Sequence, residues 1–499
     1  MILIETDIQK NTDDIHALTR AFFNGAEVKI TQCEMNTEKM LQPVIKRENS
    51  GKSGKLVYKS DDWGTFVIEI PDEEKDELKR TVYSALSKRT GKTLPWGSLT
   101  GIRPTRLVRR RIESGMPEDQ IVDDMKRCYF TSEEKTRLSI EIVKKERELI
   151  NNLIKYKEGY ETGKISDGIE PEEYFYKNKC YSLYVDIPFC PTRCLYCSFT
   201  SNAVGKDRSL VNDYLTALEE EIKYGAEIME GRVPDTVYIG GGTPTALLPD
   251  ELERLLLALR QSFGTDRSYE FTVEAGRPDS VTAEKLEIMK SHNVTRISVN
   301  PQTMNRKTLE IIGRRHTPEQ VKEAFHLARE LGFDNINMDM IIGLPGEGPD
   351  EVGYTIDELC KLKPDSVTIH SLAVKRASLL MERMTDGMAG VTDTDALQMM
   401  ETACRGARSL GMTPYYLYRQ KNMSGNLENT GYASEGKHGL YNILINEEVQ
   451  DILALGAGAV SKRVDCGGNT RRCANYKEVR DYISDVDTQV RKKRELWNV

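Results

Sequence analysis

What this 499-residue chain lacks narrows its class first. No apolar run reaches the roughly 20 residues that a membrane-spanning helix requires. The opening MILIETDIQKNTDD has no basic stretch followed by an apolar core, so no secretory signal is expected there. Net charge is −8, which argues against a general binder of nucleic acid or anionic membrane. No segment recurs at a fixed period of roughly 20–50 residues, so solenoids and propellers are excluded. Low-complexity tracts are absent too. What is present is a globular composition, 39% hydrophobic and 30% charged, enough to bury a large core. The length suggests roughly three domains. The expected compartment is the cytoplasm, where ten cysteines are read as thiols or metal ligands rather than disulfides.

A fourth cysteine is also lacking where one would be looked for. In LYVDIPFCPTRCLYCSFTS, Cys190, Cys194 and Cys197 follow a C-x3-C-x2-C spacing, and the neighbouring cysteines are Cys180 and Cys360. Structural zinc closes four ligands, and ordinary electron-transfer clusters take four thiolates. Three thiolates on a four-iron cluster leave one iron open to chelate a small molecule. Pro188 and Pro191 flank Cys190 and restrict the backbone there. Taken alone, the triplet also allows a zinc site completed by a distant Cys or His, or plain buried thiols.

Residues 1–156 read as an α+β and helical extension and 157–175 as a polar linker. Residues 176–385 read as the main α/β domain and 386–499 as a smaller C-terminal domain. From 180 onward, short β-rich runs alternate with amphipathic helical ones. The strands are YSLYVDI, TVYIGG, YEFTVEA, RISVN, NINMDMII and SVTIHSL. Six strands in order with five intervening helices predict a parallel sheet with right-handed crossovers. Six are too few for a complete eight-stranded barrel, which leaves an open partial barrel or a doubly wound sheet.

In either architecture the site lies at the carboxyl ends of the strands, and the unusual residues fall there. The cysteine loop follows the first strand and GGGTPT the second. Glu274 ends the third, Gln302 follows the fourth, Asp339 lies late in the fifth, and HSLAV ends the sixth.

These motifs carry a resemblance. Cys190-x3-Cys194-x-Tyr196-Cys197 is similar to the signature of the radical S-adenosylmethionine (SAM) superfamily. YVDIPFCPTRCLYC, GGGTPT, VEAGRPD, RISVNPQT, GRRH and MDMIIGLPGE, in that order, resemble the oxygen-independent coproporphyrinogen III oxidase family. The likeness covers about 180–380, with an echo in LALGAGAVS. The long extension with WGSLTGIRPTR resembles the HemZ-type branch, the coproporphyrinogen dehydrogenases.

The resemblance implies a partial (β/α)6 barrel. It implies that Cys190, Cys194 and Cys197 ligate a [4Fe-4S] cluster whose open iron binds SAM. Tyr184 and Tyr196 would line that cofactor, and Gly241, Gly242 and Thr243 would receive its amino-acid end, glycines allowing close approach and offering N–H groups. Glu274, Gln302, Arg314 and Asp339 would complete the pocket, with Ala373 and Val460 contacting the cofactor by backbone or apolar packing. A low-potential electron donor would reduce the cluster, and a 5′-deoxyadenosyl radical would take hydrogen from a propionate of coproporphyrinogen III. Loss of CO2 and an electron would leave a vinyl group, and two rounds would give protoporphyrinogen IX. The expected partner is therefore a tetrapyrrole.

Two positions depart from the resembled pattern. Phe199 stands where the decarboxylases carry a further cysteine, and Asp186 where they tend to have histidine. Phe199 is shared with a sister group of heme chaperones, whose H-N-x-x-Y-W motif is not found here, the region reading YYLYRQKNMSGN. A heme-binding chaperone, or another radical SAM reaction on a tetrapyrrole, is the alternative. Remaining features are read plainly. RPTRLVRRRIE could attract substrate propionates but is read first as a solvated helix face, and Cys466 and Cys473, a pair too few for a second metal site, are read as free thiols. His316 is a packing residue as readily as a site residue, His370 points at the rim, and Lys375 and Arg376 either meet a propionate or decorate a loop.

Overall fold

The computed structural model describes residues 1–23, 26–32, 53–101, 103–161, 170–197, 202–204, 208–373, 378–380, 391–420 and 423–498. They fall into two compact units. One comprises 1–143 with 390–397 and 418–428, the other 144–389 with 398–417 and 429–499.

The first unit is built on β1 (Ile2–Thr6), β2 (Val28–Gln32), β3 (Gly54–Ser60) and β4 (Gly64–Ile70), in the order β2-β1-β3-β4. Alternating burial along β1 and β3 marks one wet face and one packed face. The packed face takes Ile15, Leu18 and Phe22 of the helix Thr12–Phe22, and Leu78, Val82 and Leu86 of the helix Lys75–Thr90. Glu74 caps the second helix by accepting from the N–H groups of Asp76 and Glu77. Elsewhere in this unit the buried Glu428 carboxylate accepts from Trp96 Nε1 at 2.8 Å and Lys135 Nζ at 2.7 Å.

The second unit carries an 11-stranded sheet. Its centre is six parallel strands in sequence order: β5 (Tyr181–Ile187), β8 (Thr236–Gly241), β9 (Glu270–Glu274), β10 (Arg296–Ser298), β11 (Ile336–Ile342) and β12 (Ser366–Ser371). Between β5 and β8 lie the short paired β6 (Phe189–Cys190) and β7 (Asn202–Ala203). All six central strands fall where the sequence places them. Helices Ser209–Ile228, Pro249–Phe263, Ala283–Ser291, Pro318–Glu330 and Pro349–Leu362 make the crossovers, and the first three pack on one another in turn. This is the open (β/α)6 partial barrel.

Beyond β12 the sheet continues with β14 (Asn429–Ala433) and β13 (Thr413–Tyr418). Beyond β5 it continues with β15 (Asp451–Leu455), β16 (Val460–Val464) and β17 (Thr470–Ala474). From sequence, residues 386–499 read as a smaller C-terminal domain. Most of them extend the barrel sheet, and 390–397 and 418–428 join the first unit. The expected linker is also partly helical: a helix reaches Glu161 and another spans Pro171–Lys177, with 162–169 outside the described residues.

The strands divide their side chains by parity. Val185, Ile187, Val237, Ile239, Phe271, Val273, Ile297, Met338, Met340, Val367 and Ile369 are fully buried. The opposite parity carries Tyr184, Asp186, Tyr238, Glu274, Asp339 and His370, each only partly buried. One face of the sheet is an oily seat for the helices, and the other is a polar, accessible lumen.

The C-terminal helix Val486–Trp497 is tied to this unit by a buried charge. Glu221, fully buried on the helix Ser209–Ile228, accepts from Lys493 Nζ at 2.6 Å and Asn475 Nδ2 at 2.8 Å. Its other oxygen accepts from Tyr482 Oη and from the N–H of Gly456, each at 2.7 Å.

Candidate active site

The cysteine loop leaves β5 at the carboxyl end of the sheet and is fastened at several points. Gly242 N–H donates to the Ile187 carbonyl at 2.9 Å, and Thr243 N–H to that of Phe189 at 2.8 Å. Leu195 N–H donates to Ile312 at 2.9 Å, and Val204 N–H to Cys190 at 2.9 Å. The glycines of GGGTPT thus serve proximity. A Cβ on Gly242 would lie 2.5 Å from the Phe189 carbonyl oxygen, and one on Gly241, whose φ is +106°, would lie 2.7 Å from Asp186 Oδ1. The N–H groups of Gly242 and Thr243 are spent on the chain itself, so the expected offer of these two donors to a ligand is not what the structure shows.

Cys194 is buried and Cys190 and Cys197 are half-buried, and no disulfide joins the described cysteines. Burial pushes the Cys190 thiol up to about 12, and Cys194 and Cys197 add to the rise. Without a metal, that proton stays on. A bound cation must displace it.

Arg314 is 5% exposed and fully engaged. Its Nη1 donates to Tyr196 Oη at 3.0 Å, and its Nη2 to the carbonyls of Gly276 at 2.6 Å and Asn300 at 2.8 Å. It locks three rim loops together, with the Tyr196 ring against Leu195, Leu309, Ile312 and Ile341. His316 lies 3.5 Å from Arg314 Nε, and burial together with Arg314 pushes it down to about 3, so it is a neutral packing residue.

The lumen wall at the rim is acidic. Tyr184 Oη donates to Asp186 Oδ2 at 3.0 Å, and Tyr238 Oη donates to Glu274 Oε1. Asp339 accepts from Asn337 Nδ2 at 2.7 Å and lies 3.7 Å from His370 Nε2. Burial pushes Asp186 up to about 7. It pushes Glu274 up to about 8, with Asp339 and Asp186 adding to the effect. Burial also works on Asp339, but His370, Asn337 and Thr368 outweigh it and hold that carboxyl below its usual range. Deeper in, the rings of Tyr184, Tyr238 and Tyr441 stack.

Gln302 sits at φ +65°, donates its N–H to the Asp339 carbonyl and accepts from Ile341 N–H. Its Oε1, with Asn300 Oδ1 and Ser298 Oγ, is buried without a hydrogen-bond partner among the described residues. Ala373 is half-buried just past β12. Val460 opens β16, two strands out from β5, and is 39% exposed. Phe199, Lys375 and Arg376 lie outside the described residues.

Sequence reasoning passed over Arg277, Asp279, Tyr238, Ser298 and Asn300. Tyr238 carried a signal, a polar residue between Val237 and Ile239 in a strand whose other parity is apolar. Arg277 carried none, because nothing periodic marks a loop residue. In the first unit Arg106 and Arg110 are exposed, whereas Arg111 is 16% exposed and pairs with Asp124 at 2.6 Å.

Residues 184–359 match the radical SAM superfamily. The oxygen-independent coproporphyrinogen-III oxidase-like protein HemZ of Bacillus subtilis is 40% identical over 413 residues, spanning 82% of this chain and 78% of that one. The chain belongs to that family of radical SAM proteins. The heme chaperone HemW of B. subtilis is 37% identical over 210 residues, 41% of this chain and 54% of its own. Among solved structures, the coproporphyrinogen III oxidase HemN of Escherichia coli superposes with a TM-score of 0.52 at 23% identity, over 62% of this chain and 70% of that one, a likeness of fold.

Radical SAM proteins use a [4Fe-4S] cluster and SAM, and the residues present fit both. No group of three or more His, Cys, Asp or Glu among the described residues could hold a single metal ion. A four-iron cube asks for something else, one thiolate on each of three irons from one loop. Asp186, Glu274 and Asp339 have no Lys or Arg partner among the described residues. Beside them stand the orphaned polar atoms of Ser298, Asn300 and Gln302. Half-buried carboxylates with no Lys or Arg beside them suit a ligand bearing a sulfonium and an ammonium group, and orphaned acceptors suit its hydroxyls. No helix of the described residues is long and apolar enough to cross a membrane.

Proposed function

We propose that this protein oxidatively decarboxylates coproporphyrinogen III to protoporphyrinogen IX without oxygen, in the cytoplasm, taking an electron from a low-potential donor to cleave SAM and passing the electron that the substrate loses with CO2 to an electron acceptor. The observation that carries the reading is the extent of the HemZ likeness. It spans 82% of the chain, whereas the likeness to the HemW chaperone spans 41%.

The roles follow. Cys190, Cys194 and Cys197 hold the cluster. Bound together, cluster and SAM supply hydrogen-atom abstraction from an unactivated carbon. Asp186, Glu274 and Asp339 neutralise the cofactor's cationic groups, while Gln302 accepts from a hydroxyl. Arg314, committed to Tyr196 and two carbonyls, fixes the rim and Tyr196 rather than clamping a carboxylate directly. Gly241, Gly242 and Thr243 bring the second strand end close enough to touch the amino-acid end, and Ala373 and Val460 contribute backbone or apolar contact. The lumen orients the propionate and excludes water.

An anaerobic assay with reconstituted protein, SAM, a strong reductant and coproporphyrinogen III tests this. Stepwise loss of two carboxyl groups with 5′-deoxyadenosine is expected. 5′-Deoxyadenosine with untouched porphyrinogen would point to another tetrapyrrole substrate. An intact cluster with neither product, together with stoichiometric heme binding, would replace the enzyme by a chaperone.

A further inference from the structure

The loop between β9 and the helix Ala283–Ser291 places a guanidinium against the cysteine loop. Arg277 is 3% exposed. Its Nη1 donates to the Thr192 carbonyl at 3.2 Å and to Thr192 Oγ1 at 3.1 Å, and lies 3.9 Å from Cys194 Sγ. Its other edge is a two-point fork on Asp279, Nε to Oδ1 at 3.0 Å and Nη2 to Oδ2 at 2.9 Å. The fork fixes the guanidinium plane. One nitrogen is thereby left to face the stretch between the first two cysteines.

We propose that Arg277 and Asp279 are positioning residues for the cluster and together set its reduction potential. Arg277 supplies an N–H···S contact to the Cys194 sulfur and pins the loop through Thr192. Outer-sphere hydrogen bonds to sulfur and nearby positive charge both raise a cluster's potential. Asp279 opposes the second effect by neutralising the guanidinium. The pair thus delivers a directional donor without a net buried charge, so the cluster gains its hydrogen bond while its potential stays low. The inference holds whatever the substrate is, since it concerns the cluster alone.

The experiment is a redox titration of the reconstituted full-length protein without substrate, followed by electron paramagnetic resonance, with iron content measured alongside. Asp279→Asn leaves the guanidinium unneutralised and is expected to shift the midpoint positive at full iron content. Arg277→Met removes the donor and leaves the Asp279 charge, and is expected to shift it negative, with Arg277→Lys restoring it partway. Opposite signs are the signature that a structural role would not produce. If Arg277→Met fails to retain iron, Asp279→Asn decides alone. An unchanged midpoint in Asp279→Asn, or shifts of the same sign in Asp279→Asn and Arg277→Met, would overturn the proposal.

Discussion

Tyr184 and Asp186 stand two residues apart on β5, and the phenol of the first donates to the carboxylate of the second over 3.0 Å. Both face the lumen, and that hydrogen bond opposes the burial that raises Asp186 to about 7.

The first prediction concerns pH and stability. Asp186 and Glu274 have folded pKa values above their unfolded ones, so the native chain keeps protons that the unfolded chain has released. Between about pH 4 and about pH 8 these groups therefore make the cluster-free protein less stable as pH rises, and the loss levels off above that window. Asp186→Asn should shrink the fall. Urea unfolding at about pH 5.5 and about pH 8.5, on the parent and the variant, measures it. An equal fall in both would show that Asp186 does not titrate in this way.

Binding of a cationic ligand should reverse that protonation. SAM added to the reconstituted protein near pH 6 is expected to release protons. If Asp186 must ionise, affinity should rise by about tenfold per pH unit below its folded pKa. Calorimetry in two buffers of different ionisation enthalpy reads the proton count. A count of zero would separate the lumen carboxylates from cofactor binding.

Cys194→Ala removes a thiolate and should abolish cluster retention while the barrel stays folded. Iron analysis and visible absorption decide it. Four-iron content at the parent level would sink the ligand assignment.

Gly242→Ala would drive a Cβ to 2.5 Å from the Phe189 carbonyl oxygen. The obstacle is backbone, so relief requires the loop to move, and a cost of roughly 1–3 kcal/mol is expected. Loop displacement should also slow iron uptake. Parent-like unfolding and uptake would mean the loop yields more easily than its hydrogen bonds suggest.

Glu221→Gln breaks a buried ion pair and leaves the Lys493 ammonium without its counter-charge, which should cost roughly 3–5 kcal/mol. Because Glu221 also holds Gly456, the variant should expose the C-terminal helix to protease before the rest of its unit. Uniform digestion of parent and variant would contradict the link.

The Glu221 pair also shows where sequence reading stopped. The six central strands were legible because their apolar runs alternate with amphipathic helices. The cysteine loop and glycine run were legible because rare residue types sit at strand ends. Glu221 lies in LEEEIKY and Lys493 in VRKKREL, where charge reads as solvent-facing. Only the fold brings them together in the dark. The strands that flank the central six were missed for a related reason. Runs such as TPYYLY and DILAL are too short to fix a neighbour, and β15 finds its partner in β5 rather than in anything nearby.

That pairing has a consequence for how the molecule is made. β5 carries the cysteine loop at its end, and one of its two edges is filled by β15 in parallel register, Leu453 beside Leu183 and Leu455 beside Val185. During translation that edge stays bare until residues 451–455 have left the ribosome. Until then the strand that launches the cysteine loop is half-paired and open to the wrong neighbour. Iron and sulfide delivered before β15 has docked would meet an unfinished wall, so cluster loading belongs after that docking.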